Sequence, residues 1–452
     1  MTNFGLVPEV KRSTPITLIM PAGHDVLNNH RLWSKRPNLD TQALNRARAF
    51  AMSASSPAYH FTPAFEAPSG SPIRELFKYL SQPGMISFAG GYPATPLFDQ
   101  DGLAQAAHAA IEHSPIDCLQ YGATEGLPVL REQLQQLMAR RGARVLIEEL
   151  MVTTGSQQGL DLLIKVLLEP GARVLVERPT YPAALQAFRL AGSSVAGVAT
   201  DAQGLDTQAL AEQLAGGGPG AVRLLYCVPT FANPTGACLP LERRLALLAL
   251  AVKYDFLIVE DDPYGALRFA GDEVPSLLAL QSRVEGAQGR VIHLASLSKV
   301  VAPGLRVGWM VAPLPVLQRC AIAKQTVDLC TSPWAQRIAA CYLAAGALER
   351  HLPVLAAGYR LKCERMLAGL EGMRDRLEVA PPSGGMFIWG RCREGVDAKA
   401  LLARAIEANV LFVPGNAFYA DEPDASSLRL SFAAPDADDI DEGLQRLCKA
   451  FG

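Results

Sequence analysis

Lys299 and Arg306 lie seven residues apart in a segment whose residue types suit a phosphate group and a carbonyl carbon. Ser296 and Ser298 precede the lysine, and the segment follows the apolar run 291–295. An activated lysine amine can attack a carbonyl carbon. Hydroxyl groups beside a guanidinium group can hold a phosphate. The alternative for Lys299 alone is a surface lysine whose stem lies along apolar neighbours, which is the commoner arrangement.

A second candidate group follows the apolar run 256–259, where Glu260, Asp261 and Asp262 stand in a row. A metal site would need histidines or further carboxylates, and the seven histidines form no such cluster in the sequence. The other interpretation is a single carboxylate that faces the cationic nitrogen of a heterocycle. Tyr264 would then donate a hydrogen bond to a neighbouring oxygen, and the remaining acid would be structural.

Three turns carry further candidates. Asn233 begins an Asn-Pro-Thr-Gly turn, which is either a plain turn or one that aims the amide at a ligand oxygen. Ser156 and Gln157 stand at a predicted helix start, where backbone N–H groups bind an anion or receive an ordinary cap. Tyr181 precedes a proline and could place its aromatic face beside a planar ligand.

These candidates follow apolar runs that have the length of buried strands. The runs are 173–177, 222–228, 256–260, 291–295 and 307–311. Helical patterns lie at 103–111, 128–140, 156–168 and 241–254. Alternation of strands and helices predicts an α/β fold with a mainly parallel sheet, and ligands bind at the carboxyl ends of such strands. After residue 332, helical patterns at 333–345 and 352–370 and strand-like pieces predict a smaller α+β domain.

The composition excludes several classes of protein. The 452 residues are 49% hydrophobic and 19% charged, which excludes a disordered or fibrous chain. Lys plus Arg number 42 and Asp plus Glu number 44, so no strong field is available to hold nucleic acid or an anionic membrane. No apolar run approaches the roughly 18 residues of a membrane helix. Nine scattered cysteines without a Cys-x-x-Cys pair favour a reducing cytoplasm over disulfides or a zinc ribbon.

Residues 1–70 have a different texture, rich in Pro, Ser and Asn, with little apolar periodicity except around 41–52. We expect a flexible or loosely docked N-terminal extension. A transit peptide fits less well, because Glu9, Asp25 and Asp40 interrupt the basic residues. A start of translation at Met52 is a third interpretation, which the sequence leaves open.

Taken together and in this order, the Asn-Pro-Thr-Gly, Asp-Asp-Pro-Tyr and Ser-x-Ser-Lys…Arg segments resemble the fold-type I aminotransferases (class I/II) that use pyridoxal 5′-phosphate. The closest resemblance is to the branch of 2-aminoadipate, kynurenine and aromatic aminotransferases, and it covers about residue 71 to the C-terminus. It implies an α/β fold with a large, mainly parallel sheet domain of the aspartate-aminotransferase type and a smaller α+β domain. The implied division is an N-terminal extension (1–70), an arm with part of the small domain (71–114), a large cofactor domain (115–330) and a small C-terminal domain (331–452).

The resemblance also implies roles for the candidates around the cofactor. Lys299 would form a Schiff base with it, and Asp261 would pair with its pyridinium nitrogen. Asn233 and Tyr264 would hydrogen-bond its phenolic oxygen, and Tyr181 would stack on its ring. The residues implied for the phosphate are Ser156, Gln157, Ser296, Ser298 and Arg306.

Substrate and subunit contacts are implied in the same way. Arg429 lies in a Leu-Arg-Leu-Ser-Phe stretch that resembles the family's clamp for the substrate α-carboxylate; otherwise it would be an outward-facing strand residue. Gly91 and Arg74 fall in segments that resemble the parts covering the substrate, and Arg74 is the candidate for a distal side-chain group. Asn233 is implied as a further substrate contact. Tyr121 looks like the tyrosine that reaches the phosphate of a neighbouring subunit, which implies a homodimer.

The implied function is ping-pong transfer of an amino group from an L-amino acid to a 2-oxo acid, with 2-oxoglutarate as the expected acceptor. A lyase, a decarboxylase or a racemase would keep Lys299 and Asp261, so the motifs leave these reactions open. A transcription regulator with a winged-helix domain before such a fold is a third hypothesis, which the single helix-like stretch in 1–70 disfavours. We therefore expect a cytoplasmic enzyme with small-molecule substrates, without metal, nucleic-acid or membrane partners.

Overall fold

The computed structural model describes residues 59–66, 70 and 72–452 of the chain. The interpretations of residues 1–70 as a flexible extension, a transit peptide, a DNA-binding segment or a chain starting at Met52 fall almost wholly outside the described residues. The elements named below all belong to one compact unit, Phe61–Gly452.

The helices and strands are numbered in chain order. The helices are α1 (Pro63–Glu66), α2 (Pro72–Glu75), α3 (Gln100–His113), α4 (Pro115–Leu119), α5 (Pro128–Arg140), α6 (Ser156–Leu167), α7 (Pro182–Leu190), α8 (Thr207–Ala215), α9 (Leu241–Tyr254), α10 (Leu277–Leu280), α11 (Leu314–Val327), α12 (Pro333–Ala344), α13 (Ala347–Leu370), α14 (Ala398–Glu407) and α15 (Ala437–Phe451). The strands are β1 (Ile86–Ser87), β2 (Leu150–Thr153), β3 (Arg173–Arg178), β4 (Ser194–Asp201), β5 (Gly204–Leu205), β6 (Leu224–Cys227), β7 (Leu257–Asp262), β8 (Val291–Ser296), β9 (Gly308–Val311), β10 (Leu377–Val379), β11 (Phe387–Cys392), β12 (Val410–Leu411), β13 (Val413–Pro414) and β14 (Ser427–Ser431).

The large sheet has eight strands in the order β2-β9-β8-β7-β6-β3-β4-β5. The run from β8 through β7, β6 and β3 to β4 is parallel. In contrast, β9 is antiparallel to β2 and β8, and β5 is antiparallel to β4. The sheet is therefore mainly parallel, as the sequence predicts. The carboxyl ends of β6, β7 and β8 lie side by side, which is where a ligand site is expected.

The central strands are buried on both faces. Every residue of β6 and β8 is buried, and successive side chains of a strand point to opposite faces. Helix α6 packs against β8 and β9 through buried residues that include Leu160 and Leu163. Full burial of each such leucine contributes roughly 1.5–3 kcal/mol. Gly159 allows the close approach, because a Cβ there would lie 2.8 Å from Cδ2 of Leu294.

A smaller antiparallel sheet has the order β10-β11-β14-β13. In its register, Arg429 of β14 lies opposite Trp389 of β11 and Val413 of β13. A separate two-stranded sheet pairs β1 with β12 in parallel, with Ile86 opposite Val410. Residues that precede the large sheet in sequence thus pair with residues that follow it.

The predicted elements differ from the observed ones mainly at their ends. Helices α5 and α9 have the bounds that the pattern predicts. Helix α13 begins at Ala347, five residues before the predicted start, and includes Pro353, which lacks an N–H for one intrahelical bond. The sequence pattern does not single out β2, β4, α7, α11 or α14.

Candidate active site

A cavity of about 750 Å³ lies beside the carboxyl ends of β6, β7 and β8. It is lined by residues that come from distant parts of the chain, including the segment 70–93 and strands β11 and β14. It brings together every predicted site residue except Tyr121: Arg74, Gly91, Ser156, Gln157, Tyr181, Asn233, Asp261, Tyr264, Ser296, Ser298, Lys299, Arg306 and Arg429.

Lys299 lies in the turn that follows β8, and its amine contacts Gly91 on another segment of the cavity lining. The Nζ atom donates a hydrogen bond to the Gly91 carbonyl oxygen at 2.8 Å. Burial, together with the positive charges of Arg429 and Arg306, lowers the pKa of Lys299 from 10.5 to about 8. Above that pH the amine is mostly neutral, which is the form that acts as a nucleophile or a base.

Asp261 is a buried carboxylate with one oxygen in use and one oxygen free. Its Oδ2 accepts a hydrogen bond from the Tyr226 hydroxyl at 2.7 Å. Its Oδ1 is buried and has no hydrogen-bond partner in the described part of the chain. Burial raises the pKa of Asp261 to about 6, against the stabilising bond from Tyr226. A cationic ligand group beside Oδ1 would favour the ionised form.

The two acids beside Asp261 serve the fold. Glu260 accepts hydrogen bonds from the backbone of Leu277 and Leu278, at 2.7 and 3.1 Å. Asp262 pairs with Arg141 at 2.7 Å. Since residues alternate between the faces of a strand, the middle acid of β7 faces the other way from its neighbours. Over residues 59–66, 70 and 72–452, no group of three or more His, Cys, Asp or Glu side chains is placed to hold a metal ion.

The start of α6 and Arg306 form a place that suits an anion. The N–H groups of Ser156 and Gln157, the first two of α6, have no acceptor inside the helix, whereas that of Gln158 donates to the Gly155 carbonyl oxygen at 3.2 Å. Gly155 precedes them with a φ of +82°, and a Cβ there would lie 2.5 Å from Nη2 of Arg306. Ser296 donates to the Ser298 hydroxyl at 2.8 Å, and both serines line the same cavity. Free N–H groups, hydroxyls and a guanidinium group together suit a phosphate.

Arg429 is almost fully buried, and its guanidinium group is held on several sides. Nη1 donates to Oδ1 of Asn233 at 2.7 Å, and Nη2 donates to the Ala89 carbonyl oxygen at 2.6 Å. The guanidinium carbon lies 4.3 Å from the ring centre of Phe387 and 5.0 Å from that of Phe418. Burial lowers the pKa of Arg429 to about 10, so the group remains charged at neutral pH. Its buried Nε has no hydrogen-bond partner among the described residues.

Phe387, Phe418 and Tyr226 are residues of the site that the sequence does not reveal. Phe387 lines the cavity and packs edge-on against Tyr264, with ring centres 5.8 Å apart. Burial raises the pKa of Tyr264, so its hydroxyl stays protonated and can donate. The pair Gly384-Gly385, just before Phe387 in the sequence, is a signal that could have drawn attention to this segment.

Tyr121 lies outside the lining of the cavity, and its side chain is 79% exposed. Ile116 and Leu119 of the neighbouring helix α4 are exposed as well. This position keeps Tyr121 away from the cavity of its own chain.

Comparison with known proteins identifies the family. The model of the family "Aminotransferase class I and II" matches residues 94–447. The chain is 42% identical over 382 residues to a 2-aminoadipate transaminase from Thermus thermophilus, covering 84% of this chain and 94% of that protein. It is 39% identical over 385 residues to aromatic-amino-acid aminotransferase 1 from Thermococcus litoralis, covering 84% of this chain and 91% of the relative.

A solved structure extends the likeness to the fold and the cofactor. An α-aminoadipate aminotransferase from Thermus thermophilus, complexed with N-(5′-phosphopyridoxyl)-L-leucine, matches with a TM-score of 0.78 and 39% identity over 86% of this chain and 96% of that chain. The predicted fold class is confirmed, and the relatives favour transamination over the lyase, decarboxylase and regulator hypotheses. The chain thus belongs to the class I and II aminotransferase family and is a pyridoxal-phosphate-dependent transaminase.

Proposed function

We propose that the cavity is the active site and that its residues hold the cofactor in the roles that the family resemblance implies. The observation that carries the proposal is the buried Oδ1 of Asp261, which has no partner among the described residues, in the same cavity as the Lys299 amine. A carboxylate there fits a protonated ring nitrogen. At another part of the same cavity, the start of α6 and Arg306 fit a phosphate.

The chemistry of the groups that line the cavity supports a specific role for each of them. When bound, pyridoxal phosphate supplies the electron sink for negative charge at the substrate α-carbon. Asp261 keeps the ring nitrogen protonated, and Tyr181 stacks on the ring. Asn233 and Tyr264 hydrogen-bond the phenolic oxygen. Lys299, once its amine is free and neutral, would accept the proton of the substrate α-carbon on Nζ and donate it to the cofactor.

The lowered pKa of Lys299 makes a prediction about cofactor binding. Only the neutral amine attacks the cofactor carbonyl carbon, so the rate of cofactor capture by the cofactor-free protein should rise with pH and level off above about 8. Stopped-flow absorbance of the bound cofactor, followed across this pH range, measures the rate. A rate that keeps rising toward the ordinary lysine pKa of 10.5 would contradict the lowered pKa of the Lys299 amine.

Substrate recognition is assigned to two arginines at different depths of the cavity. Arg429 is buried and its Nε is unpaired among the described residues, which supports a role in binding the α-carboxylate shared by all substrates. Arg74 is exposed and lines the same cavity as Phe77 and Tyr92, whose ring centres lie 6.0 Å apart. A cavity lined by a guanidinium group and by aromatic rings suits both acidic and aromatic side chains. We therefore infer 2-aminoadipate or aromatic amino acids as donors and 2-oxoglutarate as the acceptor.

A donor panel with two arginine variants tests this assignment. Arg74→Gln should lower kcat/KM for 2-aminoadipate by about tenfold, because an exposed charged contact contributes only a modest binding free energy. The kcat/KM for an aromatic donor should stay nearly unchanged. Arg429→Gln should lower kcat/KM for every donor by about 10- to 150-fold. Single-turnover measurement of the donor half-reaction keeps the acceptor out of the comparison.

The outcomes of the panel separate the claims. Equal losses for acidic and aromatic donors in Arg74→Gln would remove Arg74 from side-chain recognition. A wild-type protein that converts neither donor class would overturn the donor inference. Formation of the 2-oxo acid, rather than a decarboxylated or eliminated product, is the expected chemistry in every active case.

We also infer a homodimer in which Tyr121 reaches the phosphate of the neighbouring subunit. Tyr121 is strongly exposed and stands outside its own cavity, which supports a contact in another copy of the chain. The exposed apolar side chains of Ile116 and Leu119 lie just before it in sequence and would be covered by such a contact.

The domain division and the location of the protein are further proposals. Pairing of β1 with β12 supports a small domain built from 71–114 and 331–452 around a large domain, 115–330. All nine cysteines are free thiols, which supports a reducing cytoplasm. In the part of the chain that the structure describes, no helix has both the length and the apolar character to cross a membrane.

A further inference from the structure

A largely buried polar network lies next to the turn that precedes α6. Its centre is Lys324 of α11, which is completely buried. The Lys324 ammonium donates to Oδ1 of Asp328 at 2.7 Å, to Oε1 of Gln158 at 3.0 Å and to Oγ1 of Thr331 at 3.1 Å. All three of its donors are therefore used. Neither Lys324 nor Asp328 lines the cavity of the active site.

The network holds the turn from both sides. Oδ2 of Asp328 accepts from Nε2 of Gln158 at 2.7 Å and from Oγ1 of Thr154 at 2.8 Å. The side-chain oxygen of Gln158 also accepts the backbone N–H of Thr154 at 2.8 Å. Thr154 and Gln158 flank residues 155–157, and the Thr154 carbonyl oxygen accepts a bond from Arg306 at 3.2 Å. The lysine and the aspartate thus reach the phosphate-binding groups only through other residues.

A geometric role explains why charged residues are used here. A buried lysine is expensive unless it is paired, and Asp328 lies 2.7 Å away, so the pair adds little net charge to the nearby anion site. What the pair adds is a strong attachment of the turn to α11, because charge-assisted hydrogen bonds are shorter and roughly twice as strong as neutral ones.

We propose that Lys324 and Asp328 are positioning residues for the cofactor phosphate, which hold residues 154–158 so that the first N–H groups of α6 are aimed before the phosphate arrives. The inference rests on the proposed role of this turn as the phosphate site. It predicts an effect on binding of the phosphate group and none on binding of the pyridine ring.

The test compares two ligands on the cofactor-free protein, pyridoxal 5′-phosphate and pyridoxal, which lacks the phosphate. The variant Lys324→Met/Asp328→Leu replaces the pair with apolar side chains and leaves no unpaired buried charge. Its dissociation constant for pyridoxal phosphate should rise about tenfold, the loss of roughly one charge-assisted contact, while that for pyridoxal stays unchanged. The matched control is Arg243→Met/Asp201→Leu, another ion pair, 2.6 Å long and away from the cavity, which should change neither constant.

Two further variants test the network without the double substitution and the phosphate site by itself. Gln158→Met keeps both charges of the ion pair but removes the hydrogen bonds by which Gln158 links the pair to the backbone N–H of Thr154. It decides the question if circular dichroism shows that the double variant does not fold. Equal changes for both ligands, or no change for either, would overturn the positioning role. Arg306→Met tests the phosphate site itself: if it loses no preference for pyridoxal phosphate, the proposed site fails, whereas a loss there without one in the network variants defeats only the positioning inference.

Discussion

Replacing Lys299 with alanine should abolish transamination while the protein stays folded. Among the residues that the structure describes, Lys299 supplies the only amine in the lining of the cavity. Its loss removes both the covalent attachment and the proton carrier at the α-carbon. We expect turnover to fall by at least about 10³-fold, because proton transfer by a positioned base alone contributes about 10²–10⁴-fold. The visible absorption of the lysine-bound cofactor should disappear as well.

The matched control is Lys165→Ala, which removes an exposed lysine of α6 that pairs with Asp161. It should keep both the absorption and the activity. Circular dichroism and thermal unfolding show whether the Lys299→Ala protein is folded, so a loss of activity is not confused with a loss of structure. A Lys299→Ala protein that keeps both the absorption and the turnover would show that the reactive lysine lies elsewhere.

Replacing Asp261 with asparagine should lower turnover by about 10²–10³-fold while the cofactor remains bound. Asparagine has the same shape and keeps a bond with Tyr226, but it carries no charge to hold a proton on the ring nitrogen. Burial raises the pKa of Asp261 to about 6, and a protonated ring nitrogen beside it lowers that pKa again, so the two charges stabilise one another.

Asp262→Asn provides the comparison one residue along β7. It removes the charge that pairs with Arg141, and Asp262 does not line the cavity, so the thermal stability of the protein should fall more than its turnover. Turnover per folded molecule, with the cofactor saturating, is the measurement. Equal losses in both variants would mean that the charge on the cavity side of β7 has no special role.

The location of the site is predictable from the sequence because neighbouring parallel strands end at one edge of a sheet. Asn233, Asp261 and Lys299 each follow or end an apolar run, so their meeting requires only that β6, β7 and β8 lie next to one another. Turn residues and the order of segments carry enough local information for this part. The same reasoning predicts the mainly parallel sheet and the bounds of α5 and α9.

Contacts between distant segments are what the sequence could not predict. Tyr226 and Asp261 are 35 positions apart, and Arg429 and Asn233 are 196 apart, so no local pattern indicates either bond. Lys324 reads as an ordinary helical lysine, because its burial depends on how α11 packs against α6. The reversed direction of β9 has the same origin, since an apolar run indicates a strand but not the direction in which it pairs.

The enclosure of Arg429 by Phe387, Phe418, Asn233 and Ala89 has a consequence for how specificity can change. Ordering a free arginine side chain costs about 2 kcal/mol of rotamer entropy. Because the contacts of Arg429 order its side chain when the protein folds, substrate binding does not carry this cost. Such preorganisation helps every ligand with an α-carboxylate equally, so it cannot discriminate among them. Discrimination is left to the exposed end of the cavity around Arg74 and Tyr92, where substitutions disturb little of the core. Under the proposed roles, substitutions at the exposed end of the cavity can therefore change which side chains are accepted, while binding of the α-carboxylate by Arg429 stays the same.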